Sequence, residues 1–484
     1  MRINHNALAY TANSNLAAAD DRLTAAVERL SSGYKINSSK DDTAGMAISQ
    51  KMRAQIRGLN RAAQNADDGV SMIQTAEATL GELQSMLTRV EELATQAANS
   101  INDVEDCSSI QEEIDNILAE IDRITQDMDF NGRKLLNGDV CRRSYSSDNN
   151  LKLYDISSSV EAGEYGIEVT ADAEKAVVSG GSLSADKVFT EQEAGTLVIN
   201  GMEISVKAGD TMEDVYGKMV DLCDKVGVDV YMGDAAGDPV AFGTDGSSLV
   251  VQTQEYGSKQ YIQIDCSNDQ LSACFSFATL GEKVQGKDAE VAFGEDDDGK
   301  RIGFSNTATL SVDGNKISVK DQNSFEMHFK VTPEAVADSG DSVSAVVTVL
   351  DAGPINLQIG AFEGENLKVN IPKVSTETLG LENISIYTHP LASDAIERVQ
   401  KASSKISGIR SYLGACQNRL DYTIANLDET SENMEKAISG IMDTDMAEEM
   451  TYYTQQNVLS QSATQMLAKA NALPENLLQL IQTN

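Results

Sequence analysis

The sequence predicts a mainly α chain with an inserted β-rich region. Antiparallel heptad helices from both chain ends are expected to form a hairpin-shaped rod, with outer α+β domains inserted between them. Three observations predict this. Apolar residues near both ends recur at alternating three- and four-residue steps, the period of helices that pack along a seam. Between about Cys141 and Pro354 that period vanishes, and Gly, Ser, Asp, Val and Thr in short alternating runs replace it. The chain of 484 residues holds only 6 prolines and no tryptophan, which suits long regular elements.

The elements follow in order. Leu16, Leu23 and Leu30 repeat every seven residues. A polar, Gly-containing link follows, "LSSGYKINSSKDDTAGMAIS" from Leu30 to Ser49. Next comes an unbroken stripe of Ile73, Ala76, Leu80, Leu83, Leu87, Val90, Ala94 and Ala97. A second run places Ile114, Ile117, Ile121, Ile124 and Met128 on one face and ends in "DFNGRKLL", where Asn131-Gly132 signals a turn. In the middle, "TLVINGMEISVK" (Thr196 to Lys207) and "TLSVDGNKISVK" (Thr309 to Lys320) read as two hairpins. Their turns fall at Asn200-Gly201 and Asp313-Gly314, dipeptides that accept positive φ. Their similarity points to an internal repeat and two related subdomains. An amphipathic helix is expected over Met212 to Lys225. Near the far end, Ala392, Ala395, Val399, Ala402, Ile406, Ile409, Leu413, Cys416, Leu420, Thr423 and Leu427 keep the heptad steps throughout. The run from Met446 to Ala470 is helix-like but more polar.

A stripe of this kind leaves its apolar face in water unless a partner covers it, and burial is worth about 25 cal/mol per Å². The Ala-rich stripes let helices approach closely but bury little per residue. The terminal segments are therefore expected to order fully only on association.

Composition narrows the function classes. A formal net charge of -37 and a pI of about 4.3 make nucleic acid and anionic membrane poor partners. No apolar run is long enough to span a bilayer or to act as a cleaved secretory signal, so neither membrane insertion nor that export route is expected. The cysteines, Cys107, Cys141, Cys223, Cys266, Cys274 and Cys416, form no C-x-x-C pair and read as free, mostly buried thiols. A Cys266–Cys274 disulfide is the sharper alternative. His5, His328 and His389 lie far apart, and "FGEDDDGKR" (Phe293 to Arg301) lacks the spaced ligands of a calcium loop, so it reads as a solvated acidic turn. With no phosphate loop, nucleophile elbow or dinucleotide fingerprint, no cofactor and no enzymatic activity are expected.

At this point the residues resemble bacterial flagellin. The carriers are the link at Leu30–Ser49, "GLNRAAQNADDGVSMIQTAEATL" (Gly58 to Leu80), "RVEELATQAANS" (Arg89 to Ser100) and "DFNGRKLL" (Asp129 to Leu136). At the other end they are "LGACQNRLDYTIANL" (Leu413 to Leu427), "SENMEKAISGIMDTDMAEEM" (Ser431 to Met450) and "LPENLLQLI" (Leu473 to Ile481). The resemblance implies a subunit that polymerises into the flagellar filament for swimming motility. Residues 1–44 and 441–484 would be terminal helices of the inner filament core. Residues 45–140 and 356–440 would be a helical rod domain, with a β-hairpin near 357–381. Residues 141–355 would be the outer variable domain. Leu16, Leu23, Leu30, Ile73, Leu80, Leu83, Leu87, Val90, Ile406, Ile409, Leu413, Leu420 and Leu427 would form the assembly core. The link would join two concentric layers.

The resemblance also implies export by the flagellar type III route, an extracellular location, and as partners a secretion chaperone, hook-junction proteins and a cap. It further implies binding by the vertebrate Toll-like receptor that senses flagellin. Arg89, Leu93 and Gln96 lie at i, i+4 and i+7 on one helical face. The family's Arg and Leu correspond to Arg89 and Leu93, and its acidic partner on the next helix to Glu113. Leu93 flanks the seam and is expected to be partly exposed. Glu91 departs from the basic residue common in agonist flagellins. Leu478, Leu480 and Ile481 resemble the C-terminal residues read by a cytosolic immune sensor, although the ending departs from the common one. Rival readings are a hook-junction protein, an adhesin or enzyme carried by residues 141–355, and a primarily immune ligand.

Overall fold

The computed structural model describes residues 6–99, 103–157, 159–183, 187–234, 238–244, 247–277, 279–296, 299–322, 325–333, 335–336 and 342–482, with side chains described to residue 475. The chain divides into two units. One comprises residues 1–69, 357–367 and 419–484, and the other residues 70–356 and 368–418.

The first unit is built from helix ends. Helix α1 (Ala7–Ser32) starts at an Asn6 cap, whose side chain accepts the Ala9 N–H. It stops at Gly33, which takes the left-handed conformation at φ 75° and donates to the Arg29 carbonyl. Helix α2 (Thr43–Ala97) contributes its first half. The C-terminal part of the helix His389–Met442 and the helix Met446–Gln482 complete the set. α1 lies along the last of these in antiparallel sense: Asn6 pairs with Ala470, Asp20 with Ser460 and Arg29 with Glu449.

In the second unit, the rest of α2, helix α3 (Val104–Asp127) and the first part of His389–Met442 bury their heptad faces. Ile73, Ala76, Leu80, Leu83, Leu87, Val90 and Ala94 are fully buried, as are Ala392, Val399, Ile406 and Leu413. The α3 stripe departs from the expected one. Cys107 and Ile110 extend the stripe toward the N-terminus and are buried, as are Ile114 and Ile121, but Ile117, Ile124 and Met128 are half-buried, and Thr125, off the stripe, is buried. In its last turns the buried face therefore shifts by one position, the sense in which a straight helix of 3.6 residues per turn departs from a strict heptad. After α3, β1 (Asp129–Phe130) and β2 (Arg133–Lys134) close a hairpin over Asn131 and Gly132, at φ 52° and 78°.

The β-rich region has two hydrophobic cores. One lies between two antiparallel sheets. The first is ordered β14 (Glu290–Phe293), β5 (Gly163–Ala171), β18 (Val343–Val349), β3 (Ser144–Ser146). The second is ordered β15 (Thr309–Asp313), β16 (Lys316–Asp321), β17 (Phe325–Val331), β4 (Leu151–Ile156). Ile167, Val169, Ile317, Val319, Met327, Phe329 and Val347 fill it, on alternate strand positions. The other core belongs to the segment inserted between β5 and β14. Its sheets are β10 (Pro239–Val240), β9 (Val228–Gly233), β11 (Ser248–Thr253), β6 (Val177–Ser179) and β13 (Lys283–Gln285), β12 (Tyr261–Cys266), β7 (Gly195–Ile199), β8 (Met202–Val206). Helix α4 (Met212–Asp224) packs here behind a Thr211–Asp214 capping box. The insert enters and leaves through one antiparallel bridge, Glu174↔Lys287.

One hairpin of the repeated pair lies in each core, and they do not turn alike. β7 and β8 turn over Asn200-Gly201 with both φ positive, as the sequence predicts. β15 and β16 pair Asp313 with Lys316, so the turn residues are Gly314-Asn315 and not Asp313-Gly314. Gly314 alone has positive φ, the demand of a II′ turn. The cause is tertiary: Asp288 captures the Gly314 N–H.

Candidate assembly surfaces

The seam between α1 and the C-terminal helix is made of small residues. Ala19 and Ala26 are the buried apolar residues of α1. Leu16, Leu23 and Leu30, the expected core of this segment, are only half-buried. Larger apolar side chains face outward: Tyr10 is 80% exposed and Leu8 65%, and on the partner helix Met466 is 64% exposed and Val458 57%. Val458 and Leu459 line a shallow groove with Thr451, Thr454 and Gln455. Two helices held by alanine contacts, with their leucine and methionine faces in water, are under-covered as an isolated pair.

The polar link is built around one apolar anchor. Ile36 is buried with Ile56, Ile438 and Met442. The Asp41 carboxylate accepts the N–H groups of Asn37 and Ser38 and the Ser38 hydroxyl, which hold it below the ordinary carboxylate range. Asp42 accepts the Ala44 N–H at the start of α2. The link also pairs with the turn between the two C-terminal helices. Lys35 N–H donates to the Met442 carbonyl, Thr444 N–H to that of Gly33, and Tyr34 bridges Asp443. Both helix-to-helix turns of this unit are therefore stitched into one joint.

On α2, Arg89 donates through Nε and Nη2 to Glu113 Oε1 at 3.0 and 2.8 Å, and Nη1 lies 3.3 Å from Glu92. These carboxylates raise the Arg89 pKa, chiefly through the Glu113 hydrogen bond. Arg89, Gln96 and Glu113 are exposed. Leu93 is not: it is 2% exposed. The expected partial exposure is corrected for a plain reason. Leu93 follows directly before Ala94 of the seam, and its side chain is buried with that seam although Arg89 and Gln96 on its flank stay exposed. Next to the pair, Met86, Glu113, Asn116, Ile117 and Glu120 line a groove of about 380 Å³. Glu91 accepts from Gln400 Nε2 at 2.9 Å, so it serves packing within the chain. Leu478, Leu480 and Ile481 lie in the last helix, but their side chains fall outside the described residues.

All six cysteines are free thiols, Cys266 and Cys274 included. Burial pushes the Cys223 thiol up to about 12, the mark of a packing residue. Among the described residues no group of three or more His, Cys, Asp or Glu could hold a metal ion. Sequence reasoning missed the polar joints that close the second unit between residues distant in the chain. Asp155, buried on β4, receives Lys405 from the helix His389–Met442, and Lys405 also donates to the Thr378 carbonyl at 2.7 Å. Asp122 accepts the N–H and hydroxyl of Thr376. Buried Gln111 donates to the Ile384 carbonyl and accepts the Ile386 N–H. An isolated polar residue on an apolar helix face, as Gln111 is, was the available signal.

Comparison with known proteins places these features. Residues 3–140 match the family described as the bacterial flagellin N-terminal helical region, and residues 396–481 its C-terminal helical region. A flagellin of Salmonella rubislaw is 30% identical over 99% of both chains. The chain belongs to the bacterial flagellin family. A flagellin of Clostridium tyrobutyricum is also 30% identical, over 97% of this chain and 99% of the relative. So is a B-type flagellin of Pseudomonas aeruginosa, over the whole of both chains. The molecule is thus a structural subunit of the extracellular flagellar filament, with flagellin helical regions at both ends and a β-rich middle.

Proposed function

We propose that residues 1–44 and 441–484 form the filament's inner core, that 45–140 and 356–440 form a helical layer around it, and that 141–355 project outward. The uncovered apolar face of α1 and the C-terminal helix carries this reading. In a polymer of this chain those side chains leave water against neighbouring copies, and Leu16, Leu23 and Leu30 become core residues. The heptad residues from Ile73 to Val90 and from Ile406 to Leu427 supply the rigid rod that sets subunit spacing. The subunit does no catalysis. It travels unfolded through the flagellar type III route, delivered by a secretion chaperone, and adds between hook-junction proteins and a distal cap. Seeded growth tests the layering. Purified monomer is added to short filament seeds with salt to screen its charge, beside a version lacking residues 1–44 and 441–484. Growth of the intact chain alone supports it, and growth of both versions refutes it.

A second reading rests on the exposed Arg89–Glu113 pair beside an apolar groove. We propose that Arg89, Gln96 and Glu113, with Leu93 holding the helix beneath them, form the surface read by the vertebrate Toll-like receptor that senses flagellin. A planar guanidinium next to apolar surface suits a binding hot spot. A receptor reporter assay tests it: Arg89→Ala lowers the response, and an unchanged response removes the epitope. Leu478, Leu480 and Ile481 are proposed as the weaker, C-terminal immune determinant, tested by their joint replacement with alanine in a cytosolic sensor assay.

A further inference from the structure

Two glycines in α2, Gly58 and Gly69, stand eleven residues apart and so share one face after three turns. Both keep ordinary helical backbone, so the helix does not need them. Each weakens it relative to alanine. What needs them is the segment 357–367, the tip of the hairpin formed by β19 (Ile355–Gln358) and β20 (Asn366–Val369). A Cβ on Gly69 would stand 2.5 Å from Leu357 Cδ1 and 3.3 Å from Leu420 Cδ1, and one on Gly58 3.1 Å from Ala361 Cβ. Between them on the same face, Asn65 Nδ2 donates to the Gln358 carbonyl at 3.1 Å. Ala361 packs against the cluster of Leu59, Ala62, Ala63 and Leu427.

The seated tip is cross-braced. Gln358 Nε2 donates to the carbonyls of Gly360 and Phe362, and Glu365 Oε2 accepts the Phe362 N–H. The braced loop holds Phe362 outward, 56% exposed, on the same unit as the uncovered terminal helices. A large aromatic in water on a rigid tip is costly unless another surface covers it.

We infer that Gly58 and Gly69 are positioning residues for polymerisation: they set how closely the hairpin tip lies on α2, and so where Phe362 meets a second copy of this chain. The inference rests on the filament-subunit reading. An added methyl at position 58 meets Ala361 Cβ, which the loop backbone fixes, and lifts the braced tip, leaving the helices folded but Phe362 misplaced; at position 69 the atom met first is the end of the Leu357 side chain, which turns aside at smaller cost.

The test uses the full chain, with thermal melting of the monomer and elongation of filament seeds followed by light scattering. Gly58→Ala keeps the wild-type melting temperature or raises it, while elongation slows about tenfold, the scale of overpacking a fitted contact. Phe362→Ser slows elongation about as much as Gly58→Ala does. Gly69→Ala, whose methyl meets only the end of the Leu357 side chain, slows it about threefold and carries the test if Gly58→Ala does not fold. Leu357→Ala in the Gly69→Ala background removes that contact and restores the wild-type rate. Wild-type rates for both glycine variants, a double variant no faster than Gly69→Ala, or an unaffected Phe362→Ser each overturn the inference. A wild-type chain that fails to elongate overturns the filament reading itself.

Discussion

Gly314 donates its backbone N–H to Asp288 Oδ1 at 2.8 Å, and the same oxygen accepts the Ser258 N–H at 2.8 Å. Oδ2 takes the Ser258 hydroxyl at 2.5 Å. One carboxylate thereby ties the insert's loop to the hairpin of the other core. These donors hold Asp288 below the ordinary carboxylate range although burial pulls the other way. Gly257 packs so closely on this turn that a Cβ there would stand 2.6 Å from Gly314 Cα.

Asp288→Ala therefore loosens the joint between the two cores. Losing charge-assisted hydrogen bonds to backbone donors should cost about 2 kcal/mol. Urea unfolding followed by tryptophan-free probes such as tyrosine fluorescence reads this as a lower midpoint. An unchanged midpoint would mean the loop is held by other contacts.

The Lys405–Asp155 pair makes a sharper demand. Lys405→Met leaves the Asp155 carboxylate buried without its cation, a loss of about 3 kcal/mol. Adding Asp155→Leu removes the stranded charge and should recover much of it. A double-mutant cycle measures the coupling, and additive losses would show that the two residues do not act as a pair.

Glu326 carries a pH signature. The His328 imidazole, whose Nε2 lies 3.7 Å away, and the Lys320 ammonium at 3.0 Å draw its pKa down to about 2 against the burial that would raise it. The folded value lies below the unfolded one, about 4.3. Its stabilisation is therefore complete above that unfolded value and is lost as pH falls through the interval from about 4.3 to 2. Thermal melting across that interval should fall less steeply for Glu326→Gln than for wild type. Parallel curves would contradict the assignment.

Leu93→Ala should behave as a core deletion. Removing a fully buried leucine costs about 2 to 5 kcal/mol. Monomer melting detects it before any receptor is added, so a weakened receptor response in this variant would not locate an epitope. Wild-type melting would mean that Leu93 is not packed as described.

The contrast between Leu93 and the helix His389–Met442 shows what was legible in the sequence. From Ala392 to Leu427 the stripe is buried where its period says, and Thr423 alone of it stays half-buried. Leu93 lies off the heptad positions and is buried all the same, so the period does not mark it. The Asn200-Gly201 turn was readable because its dipeptide and register agree. The second hairpin looked the same in sequence, yet Asp288, 26 residues from Gly314, decides its turn. Asp155 and Lys405 stand 250 residues apart, and no local pattern marks them as partners. Periodicity reports burial against the nearest neighbour; it is silent about polar joints closed across the fold.

The central claim is that polymerisation covers the face left open by α1 and the C-terminal helix. Amide hydrogen exchange of monomer and assembled filament tests it most directly, because exchange reports local opening segment by segment. The account predicts fast exchange over residues 7–32 and 446–475 in the monomer and protection rising there by about a hundredfold or more in the filament, with little change over residues 141–355. Equal protection of the terminal helices in both states, with the gain confined to the β-rich region, would contradict it.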